Sequence, residues 1–420
     1  MRELKQDWRD VFLAFRIARD PRKVLLGAAG AILSVAWVYL LALFFRNVMH
    51  VISKDAGHDI RNRALDALTN PLQAVDAVLS FFSLRHVMQH PHAAEIFFIV
   101  AALGLLLIWS YFGGAISRIA AVELARDERI EMREARKFAC HKFWAYLWAP
   151  IVPAVGVVIF GLCNFLGGLI GCIPFFGDFF MGIFFPLTLL AGFLIALITI
   201  GGMAGGGLMM PAISAEGTDA FDGISRAYSY VYSRPWRFIW YGLVALGYGL
   251  LCVGFIYCFT WLTVQSALVT GKIGLKAIYG GFKFDDIKHF YVNWSFAKNP
   301  SIHWWTHVGA FMIGIWAHLL WALFLGFVVS MITTCNTIIY FLMRKSVDGT
   351  EMTEVFMEEQ EEGEGVEAAA EKEGAGEAPA EEKKEGEPPS EEGAKKRAPR
   401  KKKEEGKEEG KEQSGEPPKE

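Results

Sequence analysis

Four histidines have the type and spacing of metal ligands. His86 and His90 lie four residues apart, and so do His303 and His307. On a helix this spacing places two imidazoles on one face, and neutral imidazoles from two helices can complete a tetrahedral zinc or copper site. Histidine beside tryptophan is also ordinary composition for a membrane–water interface. The sequence therefore supports two interpretations of these residues, a metal site and an interfacial cluster.

Asp178 raises a second chemical question, because it is the single charged side chain between Lys142 and Glu216. An ionisable group inside a membrane is a functional candidate by default. Pro174 and Gly177 indicate a turn, however, and no second aspartate lies within an apolar run. We therefore predict that Asp178 is the polar tip of a turn between two spans rather than half of a catalytic dyad.

Motifs of familiar enzymes are missing from the sequence. The chain contains no Walker A loop, no HExxH zinc-protease helix, no GxSxG elbow and no dinucleotide fingerprint. This argues against a soluble-type enzyme and less strongly against a transporter. We expect a protein without a cofactor.

Long apolar segments must position these residues. A helix needs about 20 apolar residues to cross the hydrocarbon core of a bilayer, and the chain has six such runs. We predict an all-α integral membrane bundle of six transmembrane helices, with cytoplasmic amphipathic helices and a disordered C-terminal tail. The expected spans are about 24–45, 96–116, 152–170, 184–210, 238–266 and 308–343.

The distribution of Lys and Arg predicts the orientation of these spans. Of the Lys and Arg residues in 1–350, nineteen lie on the side of the two termini and ten on the opposite side. Because cationic loops are retained in the cytoplasm, we expect both termini to be cytoplasmic and the protein to reside in the inner membrane. Residues 1–23 form a basic amphipathic segment before the first span.

Two charged segments, 113–144 and 205–236, align without gaps at an offset of 92 residues and share six identities. Each leaves a span, passes through a charged helix and re-enters the membrane at a tryptophan. In the second segment Thr218 or Asp219 is expected to cap a helix. The apolar face of that helix is predicted to consist of Phe221, Ile224, Tyr228 and Val231.

We expect both segments to lie on the inner leaflet as amphipathic helices that contact anionic lipid. The alternative is that they are ordinary connectors without lipid specificity, since topology alone already requires basic residues there. The residues expected to contact lipid are Arg129, Arg133, Arg136, Lys137, Trp144, Arg226, Arg234, Trp236 and Arg237.

The runs GGAISRIAAVELARDERI, DAFDGISRAYSYVYSRPWRFIWY and AFRIARDPRKVLLG resemble those of uncharacterised multi-pass bacterial inner-membrane proteins. In such proteins short cytoplasmic helices alternate with Gly-rich spans. The resemblance covers about residues 10–345. It implies a multi-span fold and assigns no activity or catalytic residue.

Glycines spaced by four residues mark sites of close helix packing or of a pathway. Such pairs are typical of helix–helix contacts in membranes. The run from 201 to 207 also allows a broken helix whose free carbonyls line a cavity. The glycines concerned are Gly167, Gly171, Gly201, Gly202, Gly205 and Gly206. His318, within the last span, is expected to face the bundle rather than lipid.

The C-terminal part has a different composition from the rest of the chain. Residues 351–420 carry a formal charge of −11, against a whole-chain charge of −3, so the remaining residues are basic. We predict a disordered charged cytoplasmic tail over residues 346–420. A basic run at 394–403 is interpreted as solvated spacer rather than as a specific nucleic-acid site.

The leading functional hypothesis is a non-enzymatic multi-pass membrane protein that organises lipids or scaffolds partners. Its expected partners are the bilayer, anionic inner-leaflet lipid, a cytosolic protein bound through the tail and a second copy of the chain. The alternative is a transporter or channel subunit with a pathway near the Gly-rich end of the fourth span. An outer-face metalloenzyme using the four histidines is a third hypothesis.

Overall fold

The computed structural model describes residues 4–47, 91–174, 176–279 and 304–357. Within these ranges the regular structure is helical throughout, and they contain no strand. The chain divides into a compact unit, residues 1–358, and residues 359–420, of which the structure describes none. The all-α fold predicted from the apolar runs is confirmed for the described residues.

The N-terminal segment folds before the first span begins. Asp7 caps a 3₁₀ helix, Trp8–Leu13, by accepting a hydrogen bond from the amide of Arg9. Helix α1, Ala14–Ala18, follows directly, and α2, Pro21–Asn47, is the first long helix. Proline suits the first helical position, because its fixed φ matches the helix and its missing N–H would be unpaired there anyway.

Seven further helices complete the described chain. Four of them are far longer than the ~20 residues needed to cross a membrane, and a fifth, α5, exceeds that length moderately, as α2 does. In chain order they are α3 (Pro91–Arg126), α4 (Met132–His141), α5 (Phe143–Gly171), α6 (Phe176–Glu216), α7 (Ala220–Ser233), α8 (Pro235–Tyr279) and α9 (Trp304–Asp348).

Among the described helices, six are long and apolar enough to span a bilayer, namely α2, α3, α5, α6, α8 and α9. The six predicted spans are therefore confirmed, although the helices extend beyond the apolar runs. Helix α3, for example, continues ten residues past the predicted end at 116. The added turns of α3 are buried almost throughout, because they pack against other parts of the protein rather than facing lipid.

Helix α9 lies at the centre of the bundle and packs on α2, α3, α6 and α8. Glycines allow its close approach to α2: a Cβ on Gly27 would lie 2.6 Å from the carbonyl oxygen of Gly326. Helices α5 and α6 pack against each other as a hairpin. Its turn lies between the end of α5 at Gly171 and the start of α6 at Phe176. Small residues at such crossings are typical of helix packing in membranes.

One end of the bundle carries the first and the last described segments of the compact unit, and we call it the terminal face. It consists of residues 4–20, α4, α7, residues 349–357 and the adjoining ends of the long helices. The fully buried core is concentrated there, for example at Ile17, Ala121, Ile213 and Phe341. The outer spans α5, α6 and α8 instead leave most of their apolar side chains exposed, as lipid-facing helices do.

The start of the tail differs from the prediction. The sequence places it at residue 346, but α9 continues to Asp348 and residues 349–357 pack onto the terminal face. Met352 is fully buried. The polar composition of this region concealed its order, because two or three apolar side chains and several backbone hydrogen bonds are enough to fix a short segment.

Candidate functional site

A buried ion pair joins the first two spans at the terminal face. Lys23 Nζ, in the first turn of α2, donates to Glu123 Oε2, near the end of α3, at 2.7 Å. Both side chains are almost completely inaccessible to solvent. Removing two charges from water is costly, so such a pair persists only with close geometry, and loss of one partner leaves an uncompensated charge.

Arg118 is the centre of a second buried cluster. Its Nη1 donates to the carbonyl oxygen of Ser214 at 2.7 Å, which links α3 to α6. The Ser214 hydroxyl lies 2.8 Å from the Tyr146 hydroxyl of α5. The guanidinium also stacks on the ring of Phe138 in α4, 4.2 Å from its centroid. One arginine thus fixes α4 and two spans relative to α3.

Glu216, the last residue of α6, is the centre of a third cluster. Its Oε1 accepts hydrogen bonds from Arg344 Nη1 at 2.6 Å and from the Tyr340 hydroxyl at 3.0 Å, both on α9. Arg226 Nη1 of α7 lies 3.7 Å from the same oxygen. A carboxylate is unfavourable at the C-terminal end of a helix dipole, and these cations compensate for that cost.

Arg226 and Tyr230 extend this cluster from α7 to the end of α9. Arg226 bonds to Asp222 at 3.0 Å and lies 3.8 Å from Asp348. Partial burial disfavours its charged form, but the hydrogen bond to Asp222 and the charge of Glu216 raise its pKa. Tyr230 donates to Asp348, and burial together with that carboxylate raises the tyrosine pKa.

Residues 349–357 are held mainly through their backbone. Arg344 Nη2 donates to the carbonyl oxygens of Glu351 and Glu354, at 2.8 and 2.6 Å. The amide of Phe356 donates to the carbonyl oxygen of Ala215 at 2.7 Å. We call residues 349–357 the strap. Two of its carbonyls accept from Nη2 of an arginine that lies inside the protein, so the strap completes the terminal face.

Helix α4 has one packed and one exposed face. It buries Ala135, Phe138 and Ala139 against α3. Arg136 Nε donates to the Tyr111 hydroxyl at 2.9 Å, and this hydrogen bond raises the arginine pKa. The remaining basic residues predicted to contact lipid, Arg129, Arg133 and Lys137, are exposed, as is Trp144 at 65%.

Helix α7 packs on the protein with three of its four predicted apolar residues, Ile224, Tyr228 and Val231. Asp219 is its N-cap and accepts from the amide of Asp222 at 3.0 Å, as the sequence allowed. Its buried face is lined by Ala220, Gly223, Ala227, Tyr230 and Val231, whereas Phe221 is 68% exposed. The small residues permit close packing of α7 on α6, and of the predicted apolar residues only Phe221 points away from the protein.

The predicted lipid contacts of the second segment occupy two environments. Trp236 is 82% exposed, and Arg234 is exposed beside it. Arg237 donates to the Ser346 hydroxyl at 3.0 Å. Arg226, by contrast, is engaged with three carboxylates of the protein, as described above. Of the basic residues predicted to contact lipid, Arg226 is thus engaged within the protein, whereas those of α4 and the loop before it are exposed.

The Gly-rich run does not break its helix, because α6 is continuous from Phe176 to Glu216. A Cβ on Gly201 would overlap the Tyr228 ring, and one on Gly205 would lie 3.3 Å from the Ala227 carbonyl oxygen. Gly202 lies beside the Tyr228 hydroxyl. Because these glycines have no side chain, α7 can pack closely against α6. Gly171 similarly meets Met181, whereas Gly167 and Gly206 face open space.

The candidate metal ligands cannot be placed by the structure. His86, His90 and His303 lie outside the described residues, and of His307 only the backbone is described, within α9. Among the residues that the structure describes, no group of three or more His, Cys, Asp or Glu side chains is arranged to hold a metal. The metal hypothesis therefore stays a prediction.

Two other predicted residues are placed by the described helices. The backbone of Asp178 lies in the first turn of α6, directly after the hairpin turn. His318 is buried within α9, and its Nδ1 lies 2.5 Å from the carbonyl oxygen of Gly314, one turn earlier on the same helix. It faces the bundle, as predicted.

Comparison with family models, with curated proteins and with solved structures gives no match for this chain. The helices and their polar clusters define a multi-pass membrane protein, and a role must be argued from them alone. Sequence reasoning did not identify the cluster residues Lys23, Arg118, Glu123, Glu216 and Arg344. Their common signal was a charged side chain at the edge of an apolar run.

Proposed function

We propose that the chain is a non-enzymatic multi-pass membrane protein that organises anionic lipid and scaffolds a partner at its terminal face. The terminal face would lie in the cytoplasm, on the inner leaflet of the inner membrane. The excess of Lys and Arg on that side supports this orientation.

The observation that carries the proposal is the set of exposed cations on α4 and in the loop before it, which alternate with exposed carboxylates of the same segment. Arg129, Arg133 and Lys137 are exposed, while the opposite face of α4 is fixed to α3. Trp144 follows at once, and tryptophan prefers the headgroup level of a bilayer. Cations held at that level attract phosphate, with about 1 kcal/mol for each basic residue near an anionic surface.

The buried clusters support a scaffolding role rather than a catalytic one. The charged groups of Lys23, Glu123, Arg118, Glu216 and Arg344 bond to other parts of the protein and join its helices. A rigid terminal face keeps the exposed cations at fixed positions. Preorganised charge binds with a smaller entropic cost than charge on a flexible segment.

Spin-labelled lipid tests the lipid part of this proposal. The protein is reconstituted in phosphatidylcholine vesicles containing a trace of labelled phosphatidylglycerol or labelled phosphatidylcholine, and the immobilised fraction of each is compared. We expect phosphatidylglycerol to be favoured severalfold. The triple variant Arg129→Gln, Arg133→Gln, Lys137→Gln should lose most of that preference. The charge-retaining variant Arg129→Lys, Arg133→Lys, Lys137→Arg is the matched control and should keep it. Equal preference in all three proteins would refute the proposal.

A further inference from the structure

We infer that a cavity on the N-terminal segment, beside α8, binds one anionic phospholipid. The phosphodiester of that lipid lies beside Lys5 and Arg9, and an acyl chain follows the exposed face of α8. The cavity belongs to the terminal face, but α4 does not contribute to it. A lipid bound there is separate from any lipid bound at α4, so this site stands or falls independently of the proposed one.

The cavity has a volume of about 480 Å³ and combines charged with aromatic walls. Two of its lining residues, Lys5 and Arg9, are cations, and two others, Trp8 and Phe12, are aromatic. All four side chains are exposed. Such walls suit an amphiphilic ligand, because cations attract a phosphate and aromatic rings pack on the apolar part next to it.

A buried carboxylate fixes the shape of this cavity. Asp10 is only 3% exposed and accepts hydrogen bonds from the amides of Lys5 and Gln6, at 3.1 and 2.7 Å. These bonds hold Gln6 at φ +57°, a left-handed conformation that is uncommon for a residue with a side chain. The resulting turn keeps Lys5 and Arg9 on the same cavity. Two cations held in place in advance bind an anion at a smaller entropic cost than mobile ones.

One exposed carboxylate adjoins these cations and binds them weakly. Asp7 Oδ2 lies 3.8 Å from Arg9 Nε, which is beyond hydrogen-bond distance, and its Oδ1 already caps the 3₁₀ helix. Ion pairs between exposed side chains contribute little. The guanidinium of Arg9 also lies 5.8 Å from the centre of the Trp8 ring. Arg9 and Lys5 therefore retain positive charge for an anionic ligand.

The charged and apolar parts of the segment follow the same order as those of a lipid. Trp8 packs edge-on against Trp240, with 6.4 Å between ring centroids, and Phe12 packs edge-on against Tyr248 at 4.9 Å. The Tyr248 hydroxyl also donates to the carbonyl oxygen of Phe12 at 3.1 Å. Tyr248 follows Trp240 by eight residues, or about 12 Å along a helix. The cations thus lie toward the start of α8, and Phe12 lies farther into the span.

The face of α8 beside the cavity continues as an apolar surface. Leu243, Gly247 and Leu251 follow Trp240 at helical spacing. The two leucines are 58% and 74% exposed, and Gly247 faces open space. These residues belong to a helix that is long and apolar enough to span a bilayer, so acyl chains are the natural neighbours of this face. A phospholipid with an anionic headgroup satisfies both the cations and the apolar face.

Native mass spectrometry of the full chain in detergent tests this site. The protein carries the three α4 substitutions to glutamine described above, and it is titrated with phosphatidylglycerol and, separately, with phosphatidylcholine. We expect Lys5→Gln together with Arg9→Gln to weaken phosphatidylglycerol binding at least fivefold. The matched control, Arg16→Gln together with Arg19→Gln, removes the same charge from exposed positions of the same segment that do not line the cavity. The control should change the Kd less than twofold.

Three results would overturn the inference. They are unchanged binding in the Lys5→Gln, Arg9→Gln variant, equal weakening in the two double variants, and phosphatidylcholine binding as tight as that of phosphatidylglycerol. Glycerophosphoglycerol, which is the same headgroup without acyl chains, should not displace the lipid at equal concentration. Its displacing the lipid would identify a free anion as the ligand and would also overturn the inference. Because α4 is neutralised in all these proteins, failure of the cavity leaves the vesicle comparison of the α4 variants unaffected.

Discussion

Arg344 and Glu216 form an ion pair with 2.6 Å between Nη1 and Oε1, which ties the central helix α9 to the last residue of α6. The arginine is buried, and its second terminal nitrogen, Nη2, donates to the strap. A single side chain therefore connects two spans and the C-terminal segment of the compact unit.

Replacing Arg344 should destabilise the terminal face. Arg344→Gln removes the ion-pair partner of Glu216, which keeps its hydrogen bond from Tyr340, and leaves two strap carbonyls without their donor. Loss of one partner from a buried pair costs about 3–5 kcal/mol. We expect a large fall in the midpoint of unfolding in detergent. Lys345→Gln, on the same helix and only half-buried, should leave the midpoint nearly unchanged. Similar effects of the two substitutions would contradict this assignment.

The Lys23–Glu123 pair should behave as a coupled unit. Lys23→Met strands a buried carboxylate, and Glu123→Leu strands a buried ammonium, so each single variant should lose about 3 kcal/mol or more. The double variant replaces both charges by apolar groups and should recover most of that loss. A double-mutant cycle in unfolding free energy measures the coupling. Additive losses would show that the two side chains act independently.

Alanine substitutions at two glycines with positive φ distinguish the effect of backbone strain from that of side-chain overlap. Gly217, at φ +66°, faces the Phe356 ring, whereas Gly349, at φ +74°, faces open space. Alanine at either position adds a left-handed strain of about 1 kcal/mol. Only Gly217→Ala should also displace Phe356 and markedly accelerate hydrogen exchange of residues 350–357. Greater acceleration by Gly349→Ala would contradict the described packing.

Glycines of α6 provide a second matched pair. Gly201→Ala would collide with the Tyr228 ring and should loosen α7, while Gly206 faces open space. Gly206→Ala removes glycine from a helix interior and should be neutral or stabilising by up to about 1 kcal/mol. Protease cleavage within 217–235 reports the loosening of α7. Equal cleavage of the two variants would argue against the contact.

Long apolar runs indicate their structure in the sequence, whereas small residues do not. The six spans were predictable because about 20 apolar residues in a row have few other uses. The small residues of the buried face of α7 were not predictable, since Ala220, Gly223 and Ala227 carry no strong hydropathy signal and their role depends on how closely α6 approaches.

The buried ion pairs and the strap were equally inaccessible to pattern reasoning. Lys23 and Glu123 are 100 residues apart in the chain, and nothing local indicates their contact. Met352 stands between acidic residues, which is typical of a disordered tail. Its burial depends on a pocket formed by distant helices, so only the assembled fold reveals it.

Alkaline pH should weaken the contact between α7 and α9. Burial and the carboxylate of Asp348 raise the pKa of Tyr230, so the folded state retains the phenolic proton more strongly than the unfolded state. The stabilisation is fully present below the ordinary tyrosine pKa of about 10 and is lost as the pH rises through the folded-state pKa. Unfolding measured above pH ~10 should therefore show a steeper loss of stability in the wild type than in Tyr230→Phe. Parallel curves would exclude this contribution.

The central claim is that α4 lies at the headgroup level of an anionic leaflet, and a native cysteine permits a direct measurement. Cys140 is exposed on α4, and Cys163 is exposed within α5. Two proteins are needed, each retaining one of these cysteines while the other exposed ones, including Cys172 and Cys258, are replaced by serine; Cys252 and Cys335 are buried. Spin-label power saturation in vesicles containing phosphatidylglycerol then reports depth. The account predicts a headgroup depth for Cys140 and a hydrocarbon depth for Cys163. A fully aqueous label at Cys140, with Cys163 in hydrocarbon, would contradict it.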